Sequence, residues 1–171
     1  MALWSPHAGS VGRVRTVAVF DIDGVVADVR HRLHFLDRKP KDWDGFFAAA
    51  GLDPPLLEGI ALVRAALADH EVLWLTGRPE RLRPVTTRWL ASHDLPAESL
   101  RMRRDRDYRP ARLAKRDELR TLAASRDIAM MVDDDPEVIA MLTAEGFPAQ
   151  LADWVPHSST LSAAQERDGR T

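Results

Sequence analysis

Five short apolar, β-prone runs alternate along this chain with longer segments of helical periodicity. The runs cover 16–20, 71–75, 99–102, 127–132 and 147–152. Between them the pattern predicts helices over 55–69, 79–92, 111–125 and 136–145. Strands alternating with helices in this way predict an α/β fold built on a parallel sheet. Pro55, Pro79 and Pro136 stand in the first turns of three of these helices, where a missing N–H is least harmful. Gly146 supplies a stop for the helix over 136–145.

The segment 29–54 breaks the alternation. It carries Trp43, Phe46 and Phe47 around a short helical stretch and reads as a small insertion after the first strand. The three aromatic residues have two readings, packing of the insertion onto the body or stacking of a base, and packing is favoured because aromatic side chains usually serve as core. One domain over 16–156 is expected, between a flexible leader, 1–15, and a polar flexible tail, 157–171.

At 171 residues and 45% hydrophobic, the chain has enough apolar material for one core. It contains no cysteine, which excludes disulfides and thiolate metal sites. With neither a signal-peptide pattern nor a membrane-length apolar run, a cytoplasmic location without membrane contact is expected. The net charge of -2 argues against bulk electrostatic binding of nucleic acid. Locally, 101–116 holds eight basic residues against two acidic ones. Such an excess suits a phosphate backbone, and a solvated helix and loop face is its other reading.

Two acidic segments follow predicted strands: Asp21 to Asp28 after the first, and Asp133 to Asp135 after the fourth. In an open parallel sheet, ligands bind at that end of the strands. Asp21 and Asp23 are one residue apart on an extended segment and point to one side. One can attack phosphorus while the other handles the leaving-group proton. Asp133 and Asp134 suit the oxygen shell of Mg2+. Asp135 has a second reading, as N-cap of the helix begun at Pro136. Thr76 and Gly77 follow the second strand and are expected at a helix N-terminus, a phosphate-binding position. Lys115 can neutralise a transferring phosphoryl group.

The order DxDGV, LTGR, Lys and VDDDP resembles the four motifs of the haloacid dehalogenase (HAD) superfamily over 16–152. The resemblance implies a Rossmann-like three-layer sheet with a small helical cap after the first strand. It also implies a magnesium-dependent phosphatase. Asp21 would be the nucleophile and Asp23 the general acid/base. Thr76 and Lys115 would bind phosphate, and Asp133 and Asp134 would bind the metal with Asp21 and the backbone carbonyl of Asp23. Receiver domains use similar residues in a different order, with paired acids first and the phosphorylated Asp alone on a later strand.

A closer likeness is to the 3′-phosphatase domain of bacteriophage polynucleotide kinase-phosphatase. It rests on Arg32, on LTGRPERLRPVTTRWLASHDL from Leu75 to Leu95, and on LRMRRDRDYRP from Leu100 to Pro110. It implies that Arg32 and Arg78 contact substrate phosphate. Two positions depart from the phage pattern: Ala111 stands where an Asp precedes the motif Lys, and Asp135 stands where an Arg follows the paired acids. There is no GxxxxGK[ST] loop, so this chain carries no such kinase site. The expected partner is a phosphomonoester, with a 3′-phosphate end of nucleic acid or a nucleotide in the lead. The alternatives are a small-metabolite or 5′-nucleotide phosphatase, and a phosphate-end-binding subunit with little turnover.

Overall fold

The computed structural model describes residues 15–168. Its centre is a five-stranded parallel sheet in the order β3-β2-β1-β4-β5. The strands are β1 (Val17–Phe20), β2 (Glu71–Pro79), β3 (Leu100–Arg103), β4 (Ile128–Asp133) and β5 (Ala149–Leu151). Six α-helices accompany them: α1 (Trp43–Ala48), α2 (Leu57–Ala66), α3 (Arg83–Ser92), α4 (Ala111–Ala123), α5 (Pro136–Ala144) and α6 (Ser159–Asp168). The expected α/β three-layer sheet is the fold observed.

Alternation along the central strands builds the layers. Ala18, Phe20, Val72 and Trp74 face α2 and α3, where Ile60, Val63, Trp89 and Leu90 meet them. Val17, Val19, Leu73 and Leu75 face α4 and α5, against Leu119, Leu122, Val138 and Leu142. Both faces of β1 are therefore apolar, as burial between two helical layers requires. Trp74 is fully buried, and its indole N–H donates to the Pro96 carbonyl at 2.6 Å.

Helix ends follow local chemistry, with two corrections. Asp135 caps α5 by accepting from the Glu137 N–H at 2.8 Å, and Gly146 turns the chain out at φ 86°. α2 starts at Leu57 because Pro55 stays extended and bridges Ala27. α3 starts at Arg83 because Pro79 remains in β2 and pairs with Arg103.

The insertion leaves and returns at one point. Asp28 N–H donates to the Pro54 carbonyl and Leu56 N–H to that of Val26, both at 2.8 Å. Within it lie α1 and two 3-10 turns, Arg30–Phe35 and Ala49–Leu52. Trp43, Phe46 and Phe47 are 5%, 1% and 5% exposed, so they pack rather than present faces to solvent.

Two expectations about the ends of the domain are corrected. Residues 1–14 of the expected leader lie outside the described residues. Arg15, assigned to that leader, donates to the carbonyls of Leu67 and Ala68. In the expected flexible tail, 159–168 form α6. Leu161 and Ala164 give this helix the apolar side that secures it, buried against the insertion's Trp43, Phe46 and Phe47 cluster.

Candidate active site

β1 and β4 are neighbours, yet the chain visits β2 and β3 between them. Such a switch in strand order opens a crevice at the strand C-termini. Asp21 follows β1 and Asp133 ends β4, with Phe20 paired to Val132 just below. Asp21 is anchored at both ends: its N–H donates to the Val132 carbonyl, and its Oδ1 accepts from the Ile22 N–H at 2.7 Å.

Lys115 comes up from α4 beneath these acids. Its Nζ is 2.5 Å from Asp21 Oδ2 and 2.6 Å from Asp133 Oδ2. Burial opposes the ammonium charge, but Asp133 and Asp21 outweigh it and raise the Lys115 pKa. Asp21, Asp133 and Asp134 each bring a carboxylate oxygen within 4.8 Å of the others. Burial, opposed by Lys115 and assisted by Asp133 and Asp23, raises Asp21 to about 7. Asp134 stands well above its ordinary value through burial and the charges of Asp133 and Asp21.

Asp134 approaches this closely because residue 24 has no side chain. A Cβ on Gly24 would lie 2.1 Å from Asp134 Oδ2, and Gly24 also adopts φ 74°, in the left-handed region. The N–H groups of Val25, Val26 and Ala27 all donate to the Ile22 carbonyl, which draws the loop into a knot behind the acids.

Asp23 belongs to a second group. Its Oδ1 accepts from Arg32 Nη2 at 3.0 Å and from Arg78 Nε at 2.9 Å. Burial favours its neutral form, but Arg78 and Arg32 outweigh it and hold the carboxyl at about 2. Both arginines are 1% exposed. They are held from behind by Asp53, which accepts from Arg32 Nε at 2.8 Å and from Arg78 Nη2 at 2.7 Å. His31 Nε2 lies 2.7 Å from the same carboxylate, and Phe46 covers the Arg32 guanidinium at 4.1 Å. Burial keeps the Asp53 pKa above its ordinary value despite Arg32, with the Asp23 charge adding.

Thr76 and Gly77 require a correction. They lie within β2, which continues to Pro79, and not at the start of a helix. The strand persists because Pro79 pairs with Arg103 after an irregularity that begins at Leu75. The Thr76 hydroxyl accepts from the Arg78 N–H at 3.2 Å, which couples the two residues.

Residues 15–151 match the family of the polynucleotide kinase PNKP phosphatase domain. The chain belongs to this family. That family is one of HAD-type phosphatase domains.

Solved structures share the fold of this PNKP-type phosphatase domain. A chain of the Pnkp1/Rnl/Hen1 RNA repair complex superposes with a TM-score of 0.65 at 22% identity, over 80% of this chain and 42% of that one. Class C acid phosphatase from Bacillus anthracis with tungstate bound gives a TM-score of 0.58 at 14% identity, over 94% of this chain and 81% of that one. A haloacid dehalogenase-like family hydrolase from Streptococcus pneumoniae gives 0.60 at 10% identity, over 90% and 92%. This chain thus spans less than half the length of the repair-complex chain it matches. No curated protein sequence matches it.

Within the PNKP-type phosphatase domain, the two departures from the phage pattern have structural places. Ala111 is the buried first residue of α4. Asp135 caps α5 and accepts from the Ser162 hydroxyl of α6 at 3.2 Å, so it works in packing and not in the acidic cluster. Sequence reasoning missed Asp53. It sits where the insertion returns, before Pro54 and Pro55, with partners 21 and 25 residues away. An isolated acid beside two prolines carries no local signal for that role. Among the described residues, no helix is long and apolar enough to cross a membrane.

Proposed function

We propose that this chain is a magnesium-dependent phosphomonoesterase working through an aspartyl phosphate on Asp21, with 3′-phosphate ends of nucleic acid or nucleotides as substrates. The observation that carries the reading is the pairing of one buried lysine with two strand-end carboxylates, beside a third carboxylate held by two buried arginines. It supports a division of labour between Asp21 and Asp23 that their neighbours enforce.

The donor set fits the metal. Asp21, Asp133 and Asp134 are carboxylates gathered in one place, and hard oxygen donors suit Mg2+. The backbone carbonyl of Asp23 joins them by the family resemblance. Bound there, the cation would supply positive charge that ionises Asp21 and Asp134 and offsets their repulsion of a phosphate dianion.

Asp21 Oδ then forms a bond to phosphorus as the bond to the ester oxygen breaks. Asp23 gives that departing oxygen its proton. Water next attacks the phosphorus of aspartyl-phosphate 21, Asp23 takes the water's proton, and inorganic phosphate leaves with the Asp21 carboxylate restored. Lys115, Thr76 and the Gly77 backbone bind the equatorial oxygens. Arg78 and Arg32 bind phosphate only by sharing donors now given to Asp23. An incoming phosphate that draws these guanidinium groups raises the Asp23 pKa, which favours its protonation when the leaving group needs a proton.

The substrate choice rests on family membership over 15–151 and on the arginines of 101–116. Its test is phosphate release from a 3′-phosphorylated oligonucleotide and from its 5′-phosphorylated isomer at equal magnesium. A preference for the 3′ isomer of about tenfold or more, near 1.4 kcal/mol of differential transition-state binding, is expected. Equal release from both, or a preference for the 5′ isomer, removes the 3′-end reading.

A further inference from the structure

β3 is an edge strand, and its side chains divide by face. Leu100 packs in the α2–α3 layer with Met102 against it. Arg101 and Arg103 alternate with these residues and so take the other face. On that face, Leu73 and Leu75 of β2 are buried beneath α4, whereas β3 carries guanidinium groups. Between β2, β3 and α4 runs a groove of about 1370 Å3. Thr76, Gly77 and Lys115 line it, and so do Arg101, Arg104 and Arg106.

The charges along this groove are not equivalent. Glu71 is paired with Arg126, Glu80 with Arg83, and Asp107 with Arg109. Among the described residues, the exposed guanidinium groups of Arg101, Arg104 and Arg106 have no ion-pair or hydrogen-bond partner. Tyr108, also on the groove, is 60% exposed. Trp43, Phe46 and Phe47 of the insertion are buried and Phe35 is half-buried, so among the described residues the exposed aromatic ring is Tyr108, on the β3 side.

We infer that this groove is the path of a single-stranded polynucleotide whose 3′-phosphate enters between Thr76 and Lys115. The inference rests on the nucleic-acid reading of the site above. Arg101, Arg104 and Arg106 contact the backbone phosphates of the preceding nucleotides, and Tyr108 offers its ring to one of their bases. Spaced cations beside an exposed aromatic ring are how proteins hold single strands with little sequence preference. The small insertion is therefore not the wall along which the polymer lies.

The test uses the full chain, the triple variant Arg101→Ala/Arg104→Ala/Arg106→Ala, and the matching triple Arg→Lys variant. The probe is a fluorescent single strand of about ten nucleotides ending in a 3′-hydroxyl, a length within known single-strand site sizes. Its binding is read by anisotropy across a salt series. The alanine variant is expected to bind about tenfold more weakly, with a salt slope lower by about 2, near 0.7 for each phosphate no longer neutralised. The lysine variant is expected to restore most of the affinity and the slope. In turnover, the alanine variant is expected to lose about tenfold more kcat/KM on the 3′-phosphorylated strand than on a 3′-phosphorylated mononucleotide.

Unchanged binding and slope in the alanine variant would overturn the path, as would equal losses on the two substrates. Failures of the two readings look different. Arginine-dependent strand binding without phosphate release keeps the groove and removes the 3′-end substrate. Release from the 3′ end that ignores the three arginines keeps the substrate and removes the groove.

Discussion

Lys115 Nζ lies 2.5 Å from Asp21 Oδ2, joining residues 94 apart in sequence across the mouth of the sheet. The contact does two things for the site. It places a cation where a transferring phosphoryl group would gather charge, and it partly offsets the burial of Asp21 and Asp133.

Lys115→Met is therefore expected to lose activity and stability together. Removing one partner of a buried ion cluster leaves the others unpaired, a loss of about 3–5 kcal/mol. The loss of positive charge beside the transferring group is expected to lower kcat about 10²- to 10³-fold. Thermal unfolding and steady-state kinetics of the variant check both. A variant with wild-type kcat would take Lys115 out of the reaction.

Magnesium is expected to stabilise the protein more at pH 8 than at pH 5. Without metal, Asp21 is pushed up to about 7 by burial, with Lys115 opposing, and Asp134 is pushed well above its ordinary value. The folded protein thus holds protons that the unfolded chain releases at the ordinary value of 3.8. That contribution to stability is fully present below 3.8 and is lost as pH rises through about 7. Asp23, held at about 2, has the opposite sign: its contribution is present above 3.8 and lost as pH falls through about 2. At pH 8 the acids are ionised and crowded, and a cation relieves most. Melting temperatures with and without magnesium at the two pH values test this, and an equal gain at both would contradict it.

The Gly24→Ala variant is expected to weaken magnesium binding through geometry alone. The added Cβ would overlap Asp134 Oδ2, and φ 74° is unfavourable for alanine. The left-handed backbone contributes about 1–2 kcal/mol of destabilisation. Displacing Asp134 is expected to raise the magnesium concentration giving half-maximal rate by about tenfold. An unchanged magnesium requirement would show that Asp134 does not hold the ion.

Asp53→Asn tests the support behind the arginines. The substitution keeps the shape and removes the charge that Arg32 and Arg78 share, at an expected loss of about 2–4 kcal/mol of stability. With the arginines less well aimed, inhibition by inorganic phosphate should weaken about tenfold. The pH profile should also shift, since Asp23 would then hold both guanidinium groups alone. A variant with normal phosphate inhibition and an unmoved profile would reduce Asp53 to a purely structural residue.

The acidic cluster was legible because its residues follow strands with unbroken apolar patterns. Asp21 and Asp133 come directly after buried runs, and strand adjacency brings them together. Lys115 was legible from motif order and not from any periodicity of α4. Asp53 was not, because its role exists only once the insertion folds back to Ala27 and Asp28. Thr76 was assigned to the wrong kind of element because the prolines near it suggested an earlier helix start, while tertiary pairing of Pro79 with Arg103 prolonged the strand. α6 was hidden because its polar residues dominate the pattern. Two small or medium apolar side chains, Leu161 and Ala164, secure it against the insertion.

Whether Asp21 carries the phosphoryl group is decided by magnesium-dependent phosphate release from a 3′-phosphorylated oligonucleotide by the wild-type chain and by Asp21→Asn. Release by the wild type and none above background by the variant is expected, with the variant folded by circular dichroism. Release at a comparable rate by a folded Asp21→Asn protein would contradict that role.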